Sequence, residues 1–315
     1  MLSHHDVPHL LKRSHVVSGY RPLHQPRHFY IRSAFRAHNE VMNVWTHFVP
    51  AILLFIFYLY PGLGHCRHFG TIIPKKSAIL EWLSDRPRPA VLLLHVGIIL
   101  LLFASSMAHL MHSRSEMDHI FWFLVDFGGI ALFGIAIGAQ RYSCAERMET
   151  FIHLTYLPLL MLIVLGLQFF SSSYLFVFLP LWKRRLELRM LSCLVLAFWL
   201  NIPLMNPNAE EDVSLRLHSR SFQWLLISGI FMGAQVPERF APGVFDIFGY
   251  GHQLFHLCVN MVAWNLADAA DLDCSADWHW TPRLVASLVT FVTSILFIAF
   301  IIHQMVKTAS KRKYE

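Results

Sequence analysis

Twenty histidines are spread over the 315 residues, and two of them, His252 and His256, stand four apart at the start of an apolar stretch. That spacing puts both side chains on one helix face, where neutral imidazoles can share a metal ion. Two other pairs at the same spacing, His5/His9 and His24/His28, lie in a polar segment with no apolar helix to hold them. A second apolar stretch ends in Ser105-Ser106-Met-Ala-His109-Leu-Met-His112, and a third carries Asp126, the one carboxylate well inside a predicted span. Three imidazoles and one open position make the usual catalytic arrangement for zinc. On that reading His109, His252 and His256 are the ligands, Asp126 is a neighbouring acceptor or general base, and Ser105 is a further hydrogen-bond partner. His112, one turn past His109, is a rival ligand placed nearer the water. The plainer alternative is that each of these groups only bonds or packs against a neighbouring helix.

The elements that must position these residues are membrane helices. The chain is 55% hydrophobic and only 15% charged, too apolar for a water-soluble domain of its size. Apolar stretches near the length of a bilayer span recur at Thr46–Leu63, Pro89–His109, His119–Gln140, Phe151–Phe170, Met190–Met205, Phe222–Val236, Phe248–Ala267 and Val285–Met305. Met190–Met205 and Phe222–Val236 are short, so the expected fold is an all-α integral membrane protein, a bundle of seven to eight transmembrane helices. A further apolar run, Tyr174–Trp182, either lengthens the fourth helix or lies at the interface.

With the N-terminus cytoplasmic and eight spans, sixteen Lys and Arg fall inside and ten outside, the expected positive-inside bias. The same topology brings His109, Asp126, His252 and His256 to one depth near the cytoplasmic face. Residues 1–45 form a cytoplasmic segment in which Arg27–Arg36 mixes aromatics with arginines, a pattern suited to an interfacial helix. The bundle follows at 46–305, and 306–315 is a basic cytoplasmic tail. The first forty residues lack an apolar core, so no cleavable signal is expected and the first helix directs insertion. Positive charge beside membrane spans points to anionic lipid rather than nucleic acid. Cys66, Cys144 and Cys274 fall in outer loops, where one pair could oxidise, whereas Cys193 and Cys258 are packers inside spans.

Four blocks carry a resemblance. They are Glu40-Val-Met-Asn43-Val-Trp-Thr46-His47 before the first span, Ser105-x-x-x-His109 with Asp126 beyond it, Val236-Pro237-Glu238-Arg239-Phe240 running to Asp246, and His252-Gln-Leu-Phe-His256. Together they resemble the progestin and adipoQ receptor family from about Ser18 to the seventh helix. The resemblance implies a helical bundle with its N-terminus inside and, as in the adiponectin-receptor branch, zinc held by three histidines. Those ligands fall on His109, His252 and His256, with Asp126 near the zinc-bound water. That branch is associated with hydrolysis of ceramide-like amides. An eighth span, Gly19–His24 and His38–Glu40 look more like the membrane progestin receptor branch, described as plasma-membrane steroid receptors that signal through inhibitory G proteins. One departure is Phe127, where the family often has a tyrosine.

The expectation is therefore a multi-pass plasma-membrane receptor that binds a progestin-like steroid or other lipid, signals through heterotrimeric G proteins and carries a buried zinc site. The alternative is a zinc-dependent lipid amide hydrolase with Asp126 and Ser105 as its catalytic groups, and a third reading keeps the zinc as a clamp between helices. Glu40, Asn43 and His47 either close the inner mouth of the bundle or only cap and anchor the first helix.

Overall fold

A computed structural model describes residues 1–56, 89–145, 150–204, 213–274 and 280–312. Among them the regular structure is helical, apart from one isolated bridge between Leu2 and Tyr20. The helices are α1 (Arg27–Ser33), α2 (Val41–Leu54), α3 (Pro89–Met111), α4 (Glu116–Cys144) and α5, which runs unbroken through Thr150–Met161, Leu162–Phe170 and Ser171–Phe178. They continue with α6 (Arg185–Asn201), α7 (Val213–Ala234), α8 (Gly251–Asp273) and α9 (Pro282–Arg312). Five of these, α3, α4, α5, α6 and α9, are long and apolar enough to cross a membrane, and α2 is a shorter apolar helix.

Each expected span coincides with a helix, with edges moved by identifiable causes. The first starts at Val41 rather than Thr46, because Asn43 and its polar neighbours are buried and take helical positions at the mouth of the bundle. Its expected remainder, 57–63, lies outside the described residues, as does Cys66. The apolar run after the fourth span joins that helix as far as Phe178, through a π-helical stretch at Leu162–Phe170. The seventh starts at Gly251 rather than Phe248, behind Gly249 at φ +88°. A Cβ on Gly251 would stand 2.8 Å from the carbonyl oxygens of both Phe231 and Val236, so only glycine lets α8 begin so close to the end of α7.

α4 is the axis of the bundle. Ser115 caps it by accepting from the Asp118 N–H at 3.1 Å, and Glu116 and Asp118 place negative charge in its first turn. Small residues then let its neighbours approach: a Cβ on Gly97 of α3 would lie 2.3 Å from the Cβ of Ala136, and one on Gly138 would lie 2.4 Å from Leu160 of α5. Of the most apolar window, 72% is buried in α4 but only 28% in α9. On α9, Val292, Leu296 and Phe300 are 53%, 65% and 57% exposed at helical spacing, which only an apolar solvent tolerates over such a length.

At the ends of α4 and α8 away from the histidines, Cys144 and Cys274 form a disulfide, resolving which of the three candidates pair. Beside it Arg141 donates to the Leu200 carbonyl at 2.8 Å and to His218 Nδ1 at 2.9 Å, and His218 Nε2 meets Asp273 at 2.8 Å.

The α3–α4 contact yields a direct test. Gly97→Val forces the two backbones apart and is expected to destabilise the fold by about 1–3 kcal/mol. The thermal midpoint in detergent should fall, whereas Gly166→Val, whose nearest neighbour would be 3.7 Å away, should leave it nearly unchanged.

Candidate metal centre

The site is assembled from four elements that meet at one end of the bundle. α2 brings Glu40 at its N-cap, then Asn43, Thr46 and His47; α3 brings Ser105 and His109 in its last two turns. α4 brings His119 and Asp126, and α8 brings His252 and His256 in its first two turns. Cross-ties fix the elements to one another. Ser106 Oγ donates to the Val44 carbonyl at 3.1 Å, joining α3 to α2, and Asn260 Nδ2 donates to the Thr46 carbonyl at 2.8 Å, joining α8 to α2.

α8 is aimed by the loop before it. Glu238 accepts from the Gly251 N–H at 2.6 Å, while Gln253 accepts from the Gly249 N–H at 2.6 Å and donates to the Ile247 carbonyl at 2.8 Å. α3 is held from its own end by Arg21, which is buried and donates to the carbonyls of His109 at 2.7 Å and Leu110 at 2.6 Å. Carbonyls in the last turn of a helix have no intrahelical donor, and a guanidinium suits them.

His109, His252 and His256 each offer one ring nitrogen within 4.8 Å of the other two. Their protonation follows from the surrounding hydrogen bonds. His109 Nδ1 lies 2.7 Å from Glu40 Oε2, so Nδ1 carries the proton and Nε2 keeps its lone pair. Thr46 Oγ1 donates to the Met42 carbonyl at 2.7 Å and stands 3.0 Å from His256 Nδ1, so its oxygen accepts from that nitrogen and Nε2 of His256 is again the one left with a lone pair. His252 Nε2 lies 3.2 Å from His109 Nε2.

Ligand nitrogens on tetrahedral zinc, at the usual Zn–N length, stand about 3.3 Å apart. The His109–His252 spacing matches that of zinc ligands, His256 stands within reach, and the carboxylate behind His109 and the hydroxyl behind His256 are the supports such ligands commonly have. Glu40, His109 and His112 form a second cluster of possible ligands, but Glu40 is already committed elsewhere.

Glu40 is the hub. Arg13 meets its carboxylate from Nε at 2.5 Å and from a terminal nitrogen at 3.1 Å, and Asn43 donates to it at 2.6 Å. Burial alone would raise its pKa, but the Arg13 charge holds the carboxyl well below the usual range. Burial alone would likewise lower the Arg13 pKa, yet Glu40 holds it above the ordinary value. Asn43 also bonds the Tyr250 hydroxyl, which donates to the Asn39 carbonyl at 2.8 Å.

The remaining expected residues fall nearby. Ser105 and Asp126 are both buried, and Asp126 lines the same cavity as His252. His47 stacks on His256 with ring centres 3.7 Å apart, and neither of its ring nitrogens has a hydrogen-bond partner. His112 lies between the hub and α4, with Nε2 3.6 Å from Glu40 and Nδ1 3.0 Å from His119. Arg13, Tyr250 and His119 are participants that the sequence reading did not single out.

The comparisons with known proteins match this architecture. The haemolysin-III-related family model covers residues 35–265, from the residues before α2 to the second half of α8. The chain belongs to this haemolysin-III-related, or progestin and adipoQ receptor, family. Human membrane progestin receptor alpha is 27% identical over 98% of this chain and 89% of its own length. The zebrafish (Danio rerio) membrane progestin receptor alpha-B is 26% identical over the same shares. Mouse (Mus musculus) membrane progestin receptor beta is 28% identical over 85% of this chain and 74% of its own.

His38, beside this hub, supplies a pH test. Its Nδ1 accepts from the Glu40 N–H at 3.1 Å and its Nε2 meets the Ser33 carbonyl at 3.1 Å, an arrangement for neutral imidazole. Burial first, and the Arg21 charge second, lower its pKa to about 3. The unfolded chain takes up this proton near pH 6.5 and the folded chain does not, so stability is full above that pH and falls as pH drops toward 3, by at most about 1.4 kcal/mol per unit. Thermal midpoints measured between pH 7 and pH 5 are expected to fall less steeply in His38→Asn than in the wild type.

Proposed function

We propose that this chain is a plasma-membrane receptor for a progestin-like steroid, with a zinc ion held by His109, His252 and His256. The observation that carries the steroid reading is similarity along nearly the whole chain to proteins named membrane progestin receptors. The structure offers a place for such a ligand. A cavity of about 380 Å³ beside the histidines is walled by Phe123, Phe127, Leu175 and Phe176, with Asp126, Tyr250 and His252 as polar points. The aromatic wall suits the body of a rigid lipid and a polar point beside it suits a carbonyl or hydroxyl, although cationic side chains also line the cavity.

The same proposal takes the chain to cross the bilayer eight times with its N-terminus in the cytoplasm. On this reading α2 to α9 would be the crossings, and five of them, α3, α4, α5, α6 and α9, are long and apolar enough. The Cys144–Cys274 disulfide supports the orientation, because it closes the end of the bundle opposite the N-terminal segment and disulfides persist outside the cytosol. The ligand-binding end then faces the cytoplasm, where a heterotrimeric G protein would read a shift of the segment around Lys183 and Arg185.

Within the site, Glu40 and Thr46 hold His109 and His256 with their Nε2 lone pairs free. Asp126 is the group that accepts a proton or hydrogen bond from a ligand in the cavity, and Ser105 orients it. Zinc bound to the three histidines would act as a Lewis acid toward a carbonyl oxygen. The same groups suit a lipid amide hydrolase, but the named relatives favour the receptor.

Membranes from cells that express the chain should bind a radiolabelled progestin saturably. Phe176→Ala, which strips one apolar wall, should weaken that binding roughly tenfold. A cell-surface protein with no saturable steroid binding, together with fatty-acid release from a ceramide that is lost in Asp126→Asn, would replace the receptor reading with the hydrolase one.

A further inference from the structure

A neutral steroid leaves the charges of the cavity without a use. Lys12, Lys183, Arg185 and Arg189 all line it, and none of these side chains has an ion pair or hydrogen bond among the described residues. The carboxylates do not balance them. Glu40 is taken by Arg13, Asn43 and His109, and Glu238 is taken by the start of α8. Asp126 alone stands against four cations.

A second cavity, of about 450 Å³, adjoins the first and shares Lys12, Arg13, Arg185 and Phe176 with it, so the positive charge extends along one continuous mouth. Cations gathered without counter-ions in a low-dielectric concavity focus the field and draw an anion.

The shape of the charge narrows the anion. The Arg189 guanidinium lies over the Phe127 ring, 4.3 Å from its centre, so one face is covered and its edge N–H groups are left for another partner. A planar fork held in this way suits the paired oxygens of a phosphate, and ammonium groups such as those of Lys12 and Lys183 add charge without fixing direction. Phe123, Phe127, Leu175 and Phe176 stand next to these cations on the same wall, so the ligand has an apolar part beside its charge. A monoester phosphate, at close to two negative charges, answers several cations better than a diester does.

We propose that this mouth binds a lipid phosphomonoester, with its phosphate on Arg189, Arg185 and Lys183 and its chain against Phe127 and Phe176. The proposal does not rest on the steroid reading: its phosphate contacts are cations that a neutral steroid leaves unused, and only the apolar wall is common to both.

The test takes the full-length protein, delipidated in detergent, and measures retained ligand by native mass spectrometry. Three probes are compared: a short-chain phosphatidate, a phosphatidylcholine of the same chains, and inorganic phosphate. Phosphatidate should bind at concentrations at least tenfold below either of the others. Arg189→Gln, and separately the double variant Lys183→Gln/Arg185→Gln where the chain enters α6, should weaken it tenfold or more, and Arg189→Lys should restore part of the loss. The double variant carries the test if Arg189→Gln does not fold. Equal binding of phosphatidate and phosphatidylcholine, or unchanged binding in folded variants, overturns the proposal. Inorganic phosphate that competes at equal concentration makes this a free-anion site and overturns the lipid assignment.

Discussion

The Glu40 carboxylate is the charge on which this end of the molecule depends. It is buried at the mouth of a bundle that otherwise presents apolar surface, and such a carboxylate survives there only when its oxygens are fully used. Arg13, Asn43 and His109 use them. Each partner comes from a different part of the chain: Arg13 from the N-terminal segment, Asn43 from α2 and His109 from α3. Satisfying one charge therefore folds the N-terminal segment against the bundle, and the same contact decides which nitrogen of His109 is free.

The clasp that holds the N-terminal segment in place repeats this logic with backbone donors. Asp246 accepts from the Val17 and Ser18 N–H groups at 2.9 and 2.6 Å and from the Ser18 hydroxyl at 2.6 Å. Gly19, at φ +82°, then turns the chain tightly enough for its carbonyl to accept from the Asn39 N–H at 3.0 Å. The loop before α8 thus does two jobs, with Glu238 starting the helix that carries His252 and His256 and Asp246 pinning the segment that carries Arg13. Separation along the chain is large, but Arg13 reaches His109 both through Glu40 and directly, at 3.3 Å from its Nδ1.

Much of the fold was legible in the sequence because lipid imposes simple rules. An apolar run of span length must be a helix, and a histidine or aspartate inside it must face protein. His109, His252, His256 and Asp126 stood out for that reason, and the structure gathers the three histidines. Arg13 did not stand out, because one arginine in a polar, histidine-rich segment has no periodicity and its partner lies 27 residues away. Tyr250 was hidden just outside a helix. The pairing of Cys144 with Cys274 could not be read from spacing, since it depends on α4 and α8 ending side by side. Helix edges shifted where polar residues were buried, at Val41, or where glycine set a close approach, at Gly251.

Metal content decides the central claim, that the free nitrogens of the three histidines hold one zinc. The detergent-purified wild type, His252→Ala and His256→Ala would be assayed side by side by inductively coupled plasma mass spectrometry. About one zinc per chain in the wild type, lost in both variants while the fold is retained, is the result this account predicts. A well-folded wild type without zinc, or zinc that persists unchanged in both variants, would contradict it and leave the histidines as packing and ligand contacts.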